Sequence, residues 1–211
     1  MSLLRVYSLG RVDYGQTLAQ QKIFTDQRGA VSVDEVWFLQ HTPTYTLGLT
    51  GKRNDIFNQN NIPVYQTDRG GQVTYHGPGQ LVVYLLLDLR RKAISVKDYV
   101  YSLETAVVNM LKTLNIPATR QTGVPGVYVN EKKIAALGIR IRKGCCYHGI
   151  SLNVDMDLTP FKGINPCGYP GLEVTQLSDL GQNLSVVDVG SKLLPFIMDE
   201  LKYGEYHLQG E

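Results

Sequence analysis

Seven consecutive apolar residues, Leu81-Val82-Val83-Tyr84-Leu85-Leu86-Leu87, stand near the middle of the chain. Strand side chains alternate between faces, so a run that is apolar at every position fits a central strand covered on both sides. Helices must therefore cover the sheet. Ser95 followed by Asp98 makes a capping-box-like start, after which Val100, Leu103, Val107, Met110, Leu111 and Leu114 recur at helical spacing until Asn115 and Pro117 stop the pattern. A second helix begins at Ser185 and carries Val189, Leu193, Ile197 and Leu201, with Pro195 predicting a kink or an early break. A third covers residues 16–25. Strand-like runs lie at 36–39, 80–89, 126–129, 133–142 and 149–154, each bounded by Gly, Pro, Asn or Asp. The short turn signal at Glu131 and Lys132 makes 126–129 and 133–142 a hairpin. Hairpins mixed with separated helices predict an α+β domain.

The apolar run is far shorter than the ~20 residues of a membrane-spanning helix, and no apolar leader follows Met1, where Arg5 and Arg11 interrupt the sequence. A soluble, cytoplasmic protein is expected, without membrane association. With 21 Lys and Arg against 19 Asp and Glu, the net charge of +2 argues against non-specific nucleic-acid binding. No repeat, linker or shift in composition divides the 211 residues, so one domain over 1–211 is expected. Three cysteines are too few for a disulfide framework, and adjacent Cys145 and Cys146 with His148 make no recognisable zinc set. No metal is expected.

Three segments are too rich in glycine and polar residues to be simple connections. The first, Arg69-Gly70-Gly71-Gln72-Val73-Thr74-Tyr75-His76-Gly77-Pro78-Gly79-Gln80, reads as a ligand-lining loop, since its glycines let backbone approach a ligand closely. It is neither a P-loop nor a dinucleotide fingerprint. The second runs from Lys132 to Arg142. Alternation puts Lys133 on one face with Ala135, Leu137, Ile139 and Ile141, pointing inward. Such a lysine either snorkels to solvent or is desolvated beside a charge partner. The third is Gly163-Ile164-Asn165-Pro166-Cys167-Gly168-Tyr169-Pro170-Gly171, where a thiol among turn-formers is poorly placed to pack in a core.

The order and spacing of these blocks resemble the bacterial lipoyl (octanoyl) transferases. The resemblance extends through Tyr147-His148-Gly149-Ile150-Ser151-Leu152-Asn153, Val174-Thr175 and the early segment His41-Thr42-Pro43-Thr44-Tyr45-Thr46-Leu47-Gly48. It implies a mixed sheet with flanking helices, similar to the catalytic domain of lipoate and biotin protein ligases. It also implies transfer of an octanoyl (or lipoyl) group from octanoyl-acyl carrier protein through an acyl-thioester. The acceptor is a specific lysine of lipoyl domains, on 2-oxoacid dehydrogenases and the glycine-cleavage H protein. Carried over, Cys167 is the nucleophile and Lys133 its partner. Arg69 to His76, Ala136 to Gly138 (with Leu137) and Gly149 to Ser151 line the acyl site. No cofactor and no ATP are implied, and a monomer is expected. Cys145 and Cys146 stand where a Val-Thr-type pair is more frequent, and Tyr128 where Trp is common; Cys146 is the rival thiol. His76 and His148 read as polar liners or proton carriers, or as hydrogen-bonded structural imidazoles. Arg140, Arg142 and Lys143 suit an acidic carrier protein or a solvated strand end. Alternative readings are an ATP-dependent ligase-like enzyme and a non-catalytic acyl or lipoyl-domain binder. Neither calls for Cys167 and Lys133 together.

Overall fold

The computed structural model describes residues 3–121 and 123–209, so the expected single unit over 1–211 extends outside the described residues at 1, 2, 122, 210 and 211. The apolar run occupies strand β6 (Gln80–Asp88), and all nine of its residues are buried. It lies in an eight-stranded sheet with β1 (Leu3–Val12), β2 (Asp34–His41), β7 (Thr119–Gln121), β8 (Val124–Val129), β9 (Lys132–Arg142), β10 (Cys145–Asn153) and β11 (Glu205–Gln209). The order is β11-β1-β2-β6-β10-β9-β8-β7. β1 runs parallel to β2 and β11, and the other pairs are antiparallel, so the sheet is mixed.

Alternation along β6 separates two cores. Leu81, Val83, Leu85 and Leu87 face α3 (Val96–Thr113) and α4 (Val186–Glu200), meeting Leu103, Val107, Val189 and Leu193. Val82, Tyr84 and Leu86 join Trp37, Leu39 and Tyr147 on the opposite face, beneath Leu18 and Phe24 of α1 (Tyr14–Gln27). None of the four on the larger core's side is more than 1% exposed, and complete burial of each stabilises by about 1.5–3 kcal/mol. Ser95 and Ser185 cap α3 and α4 by accepting from the Asp98 and Asp188 amides. A short helix, α2 (Leu89–Lys92), follows β6 directly.

Several expectations need correction. The 69–80 segment is not all loop: Val73–His76 forms β5, which pairs with β3 (Thr44–Leu47), and β4 (Val64–Gln66) completes a second, three-stranded sheet. Its core holds Tyr45, Leu47, Val73, Tyr75, Phe161 and Ile164. α4 runs through Pro195, so of the kink or early break expected there the break does not occur. Pro195 and Ser191 are both exposed, so the carbonyl that loses its helical donor is on the solvent side. β10 begins at Cys145, earlier than the pattern suggested.

The face assigned to Lys133 also changes. Val127 opposes Ala135 while Tyr128 opposes Lys133, which leaves Ile134 as the extra residue of a β-bulge. Ile134 and Ala135 therefore both enter the larger core, with Leu137, Ile139 and Ile141 packed against it. Lys133 moves to the other face beside Tyr128, and it remains 3% exposed. At the hairpin, Asn130 and Glu131 carry the two positive φ values, 48° and 66°, that suit a two-residue turn.

Candidate active site

The second sheet closes over the main sheet through Arg69. Its buried guanidinium donates to the Thr46 carbonyl at 2.8 Å, the Thr46 hydroxyl at 2.8 Å, the Gln72 carbonyl at 2.8 Å and the Gly70 carbonyl at 2.9 Å. The Gly70 amide donates to the Ile139 carbonyl, tying this segment to β9. Gly48 permits the approach, since a Cβ there would meet the Gly71 carbonyl oxygen at 2.2 Å. The space left between the sheets is a narrow cleft, open to solvent on one side.

Of the residues expected to line an acyl site, Arg69, Gly71, Gln72, Val73, Thr74, His76, Ala136, Leu137, Gly138, Gly149, Ile150 and Ser151 surround this cleft, and Cys167 lies on its wall. Gly70 and Tyr75 are not among its walls; Tyr75 packs into the second core. Tyr14, Val82, Tyr84 and His148 line it as well. Tyr84 carries the lone hydroxyl in the apolar run, a signal present in the sequence; Tyr14 offers none.

Cys167 sits in the tight turn Pro166–Gly168 with φ 55° and ψ 20°, a left-handed conformation that costs a non-glycine residue about 1–3 kcal/mol. The Gly168 amide donates to the Asn165 carbonyl, and the Asn165 amide to the Asp55 carbonyl, fixing the turn. Lys133 Nζ lies 3.0 Å from Cys167 Sγ and donates to the Pro125 carbonyl at 3.1 Å. Burial pulls the Lys133 ammonium downward, but Cys167 and then Tyr128 outweigh it, so its pKa lies above the usual lysine value. Cys146 is fully buried on the core side of β10, bonded to the Leu85 carbonyl and the Tyr99 hydroxyl, and burial pushes its thiol up to about 12. Cys145 is also buried, beside Arg90. Neither cysteine lines the cleft.

Three histidines stand along the cleft and behind it. His41 Nδ1 faces the Val12 carbonyl at 3.1 Å and therefore carries the proton, so its Nε2 accepts from Tyr84 at 2.7 Å. Gln80 donates through its amide nitrogen to Asn153 and the Tyr75 carbonyl, which leaves its Oε1 to accept from His76 Nδ1 at 2.7 Å. Burial lowers His41 to about 4 and His76 to about 3, with His41 itself next among the causes at His76. His148 donates from Nε2 to Asp68, which also accepts from Tyr147 and pairs with Lys22. Burial lowers His148 more than Asp68 raises it. All three imidazoles are neutral at neutral pH and hydrogen-bonded, His76 and His148 on the cleft wall and His41 behind it. Asp68, one residue ahead of the glycine-rich block, escaped sequence reasoning. His148, at φ 61°, turns toward the cleft from a position whose even-numbered neighbours Cys146 and Ile150 enter the larger core. Among the described residues, Arg140, Arg142 and Lys143 are partly or wholly exposed, with Arg142 paired to Asp26.

The chain is similar to known proteins over most of its length. The lipoyl protein ligase A/B catalytic domain family matches residues 13–197. An octanoyltransferase of Chromobacterium violaceum is 54% identical over 189 residues, spanning 90% of this chain and 91% of its own length. One from Shewanella denitrificans is 50% identical over 208 residues, spanning 98% and 92%. Among solved structures, a lipoate-protein ligase A bound with ATP superposes with a TM-score of 0.80 at 17% identity, over 100% of this chain and 89% of that one. A biotin protein ligase from Aquifex aeolicus superposes at 0.58 and 17% identity, over 95% and 70%. At such identities these two likenesses speak for the fold alone.

Proposed function

Since the chain belongs to the octanoyltransferases of the lipoyl protein ligase A/B catalytic domain family, we propose that Cys167 carries the octanoyl group as a thioester between two protein substrates, with Lys133 moving the protons. The donor is octanoyl-acyl carrier protein. The acceptors are the target lysines of lipoyl domains on 2-oxoacid dehydrogenases and the glycine-cleavage H protein, met by a monomer in the cytoplasm. The reading is carried by one observation, the 3.0 Å contact of Lys133 Nζ with Cys167 Sγ on the wall of the cleft between the sheets. Among the described residues no helix is long and apolar enough to cross a membrane.

The Cys167 thiolate attacks the donor's carbonyl carbon, forming a new C–S bond. Collapse of the tetrahedral oxyanion expels the donor thiolate, which takes a proton from the Lys133 ammonium. One thioester replaces another, so the acyl group stays activated and no nucleotide is consumed. Acylation also removes the sulfur's charge. Burial is the largest influence on Lys133 and acts downward, so loss of the thiolate shifts the lysine toward its neutral amine. That amine accepts the proton released as the acceptor lysine attacks, the amide forms, and the Cys167 thiolate leaves. The starting ion pair is restored.

The test is transfer without nucleotide. Incubated with octanoyl-acyl carrier protein and an apo lipoyl domain, the enzyme is expected to octanoylate the domain. Modification that appears only with ATP and free octanoate would replace this reading by the ligase reaction.

A further inference from the structure

The Lys133 ammonium has a second anchor besides Cys167, the carbonyl of Pro125 at 3.1 Å. That carbonyl shares one planar unit with the Gly126 amide. The peptide is trans, so its C=O and N–H point in opposite directions. The Gly126 N–H points at Glu104 of α3 and donates to Oε1 at 2.8 Å. A single peptide plane thus lies between a carboxylate and an ammonium. Each end polarises the other, so the two hydrogen bonds strengthen cooperatively.

We propose that Glu104 is a positioning residue for the transfer reaction, holding the Pro125–Gly126 peptide so that Lys133 stays in register with Cys167. Gly126 is what makes the arrangement possible. It sits at φ 145°, and a Cβ there would lie 2.9 Å from Lys133 Cε and 2.8 Å from the Ala135 carbonyl oxygen. Glu104 is 8% exposed, a costly placement for a carboxylate unless it is bound. Burial raises its pKa, opposed first by the Gly126 amide and then by Arg120 and Lys133, the charged groups that face it from β7 and β9. Arg120 itself is held by Thr105 and Tyr101.

The inference rests on the Lys133–Cys167 pair being the reactive one, and its test reads thiol reactivity, so it can fail separately from the transferase reading. Iodoacetamide alkylation of Cys167, located by peptide mass, is compared near neutral pH and at alkaline pH in wild type, Glu104→Ala, Glu104→Gln and the core variant Met110→Ala. Glu104→Ala is expected to alkylate about tenfold more slowly than wild type near neutrality, the scale of one lost hydrogen bond to a charged group, and equally fast when the thiol is fully ionised. Glu104→Gln keeps an acceptor for Gly126 and is expected within about twofold of wild type. Met110→Ala, buried on the same helix, is expected to leave the profile unchanged. If Glu104→Ala does not fold, Glu104→Asp, one methylene too short to reach, takes its place with the same expected slowing. A wild-type profile in the Ala or Asp variant overturns the proposal, as does a Gln variant as slow as the Ala or Asp variant tested beside it.

Discussion

Lys133 Nζ and Cys167 Sγ stand 3.0 Å apart although 34 residues separate them in sequence. Two local distortions bring them together. The bulge at Ile134 turns the lysine away from the larger core, and the left-handed turn at Cys167 presents the thiol. In the proposed reaction Lys133 is both the acid for the departing donor and the base for the acceptor amine. Lys133→Ala should therefore slow acyl-enzyme formation and discharge by about 10²–10⁴ each, as measured by rapid quench of the two half-reactions. Loss of one half-reaction alone would contradict the double role.

Arg69 should prove a structural bracket whose planar fork cannot be replaced. It serves carbonyls of Thr46, Gly70 and Gln72 and the Thr46 hydroxyl, all beside the cleft. Arg69→Ala strands these acceptors and should cost about 3 kcal/mol or more in urea denaturation, and Arg69→Lys should recover little of it.

Much of this fold was legible in the sequence, for reasons that also mark where legibility stopped. The run at 81–87 announced a strand covered on both faces because nothing but double burial explains apolar residues at both parities. The helices from Ser95 and Ser185 announced themselves by cap and period. β5 was hidden because four residues, Val73–His76, sit among glycines that signal a loop, and its partner β3 is equally short. Pro195 does not end its helix because a missing amide is tolerated where the freed carbonyl is on a solvent-facing side. Strict alternation misplaced Lys133 because a bulge is decided by pairing with β8, which no single strand records. The glycine-rich block and Cys167 could be singled out by composition, whereas Asp68 and Glu104 could not, since each matters through partners distant in sequence.

Gly149 and Gly171 separate two costs of adding a methyl group. At Gly149 a Cβ would lie 2.1 Å from the Val83 carbonyl oxygen, so β10 and β6 would have to part. Gly149→Ala should destabilise by about 3 kcal/mol or more. Gly171, at φ 78°, has nothing within 4 Å of that position, and Gly171→Ala should cost only the backbone strain of about 1 kcal/mol. Thermal unfolding of the pair checks the difference.

Stability should fall in mild acid, before most carboxylates titrate. His41 and His76 have folded values of about 4 and about 3, below the ~6.5 of an unfolded chain, so between pH ~6.5 and ~4 the unfolded state binds more protons. Their stabilising contribution is complete above ~6.5 and is lost as the pH drops. With both imidazoles kept neutral, the slope approaches about 2.7 kcal/mol per pH unit. Urea denaturation across this window should show it, and His41→Gln with His76→Gln should flatten it.

The account turns on a covalent intermediate, and the intact mass of the protein after incubation with octanoyl-acyl carrier protein, without ATP, tests it most directly. A single octanoyl adduct is expected on the wild-type chain, absent from Cys167→Ser and discharged by an apo lipoyl domain. A folded, active enzyme that shows no adduct, or a Cys167→Ser variant that still acquires one, would contradict it.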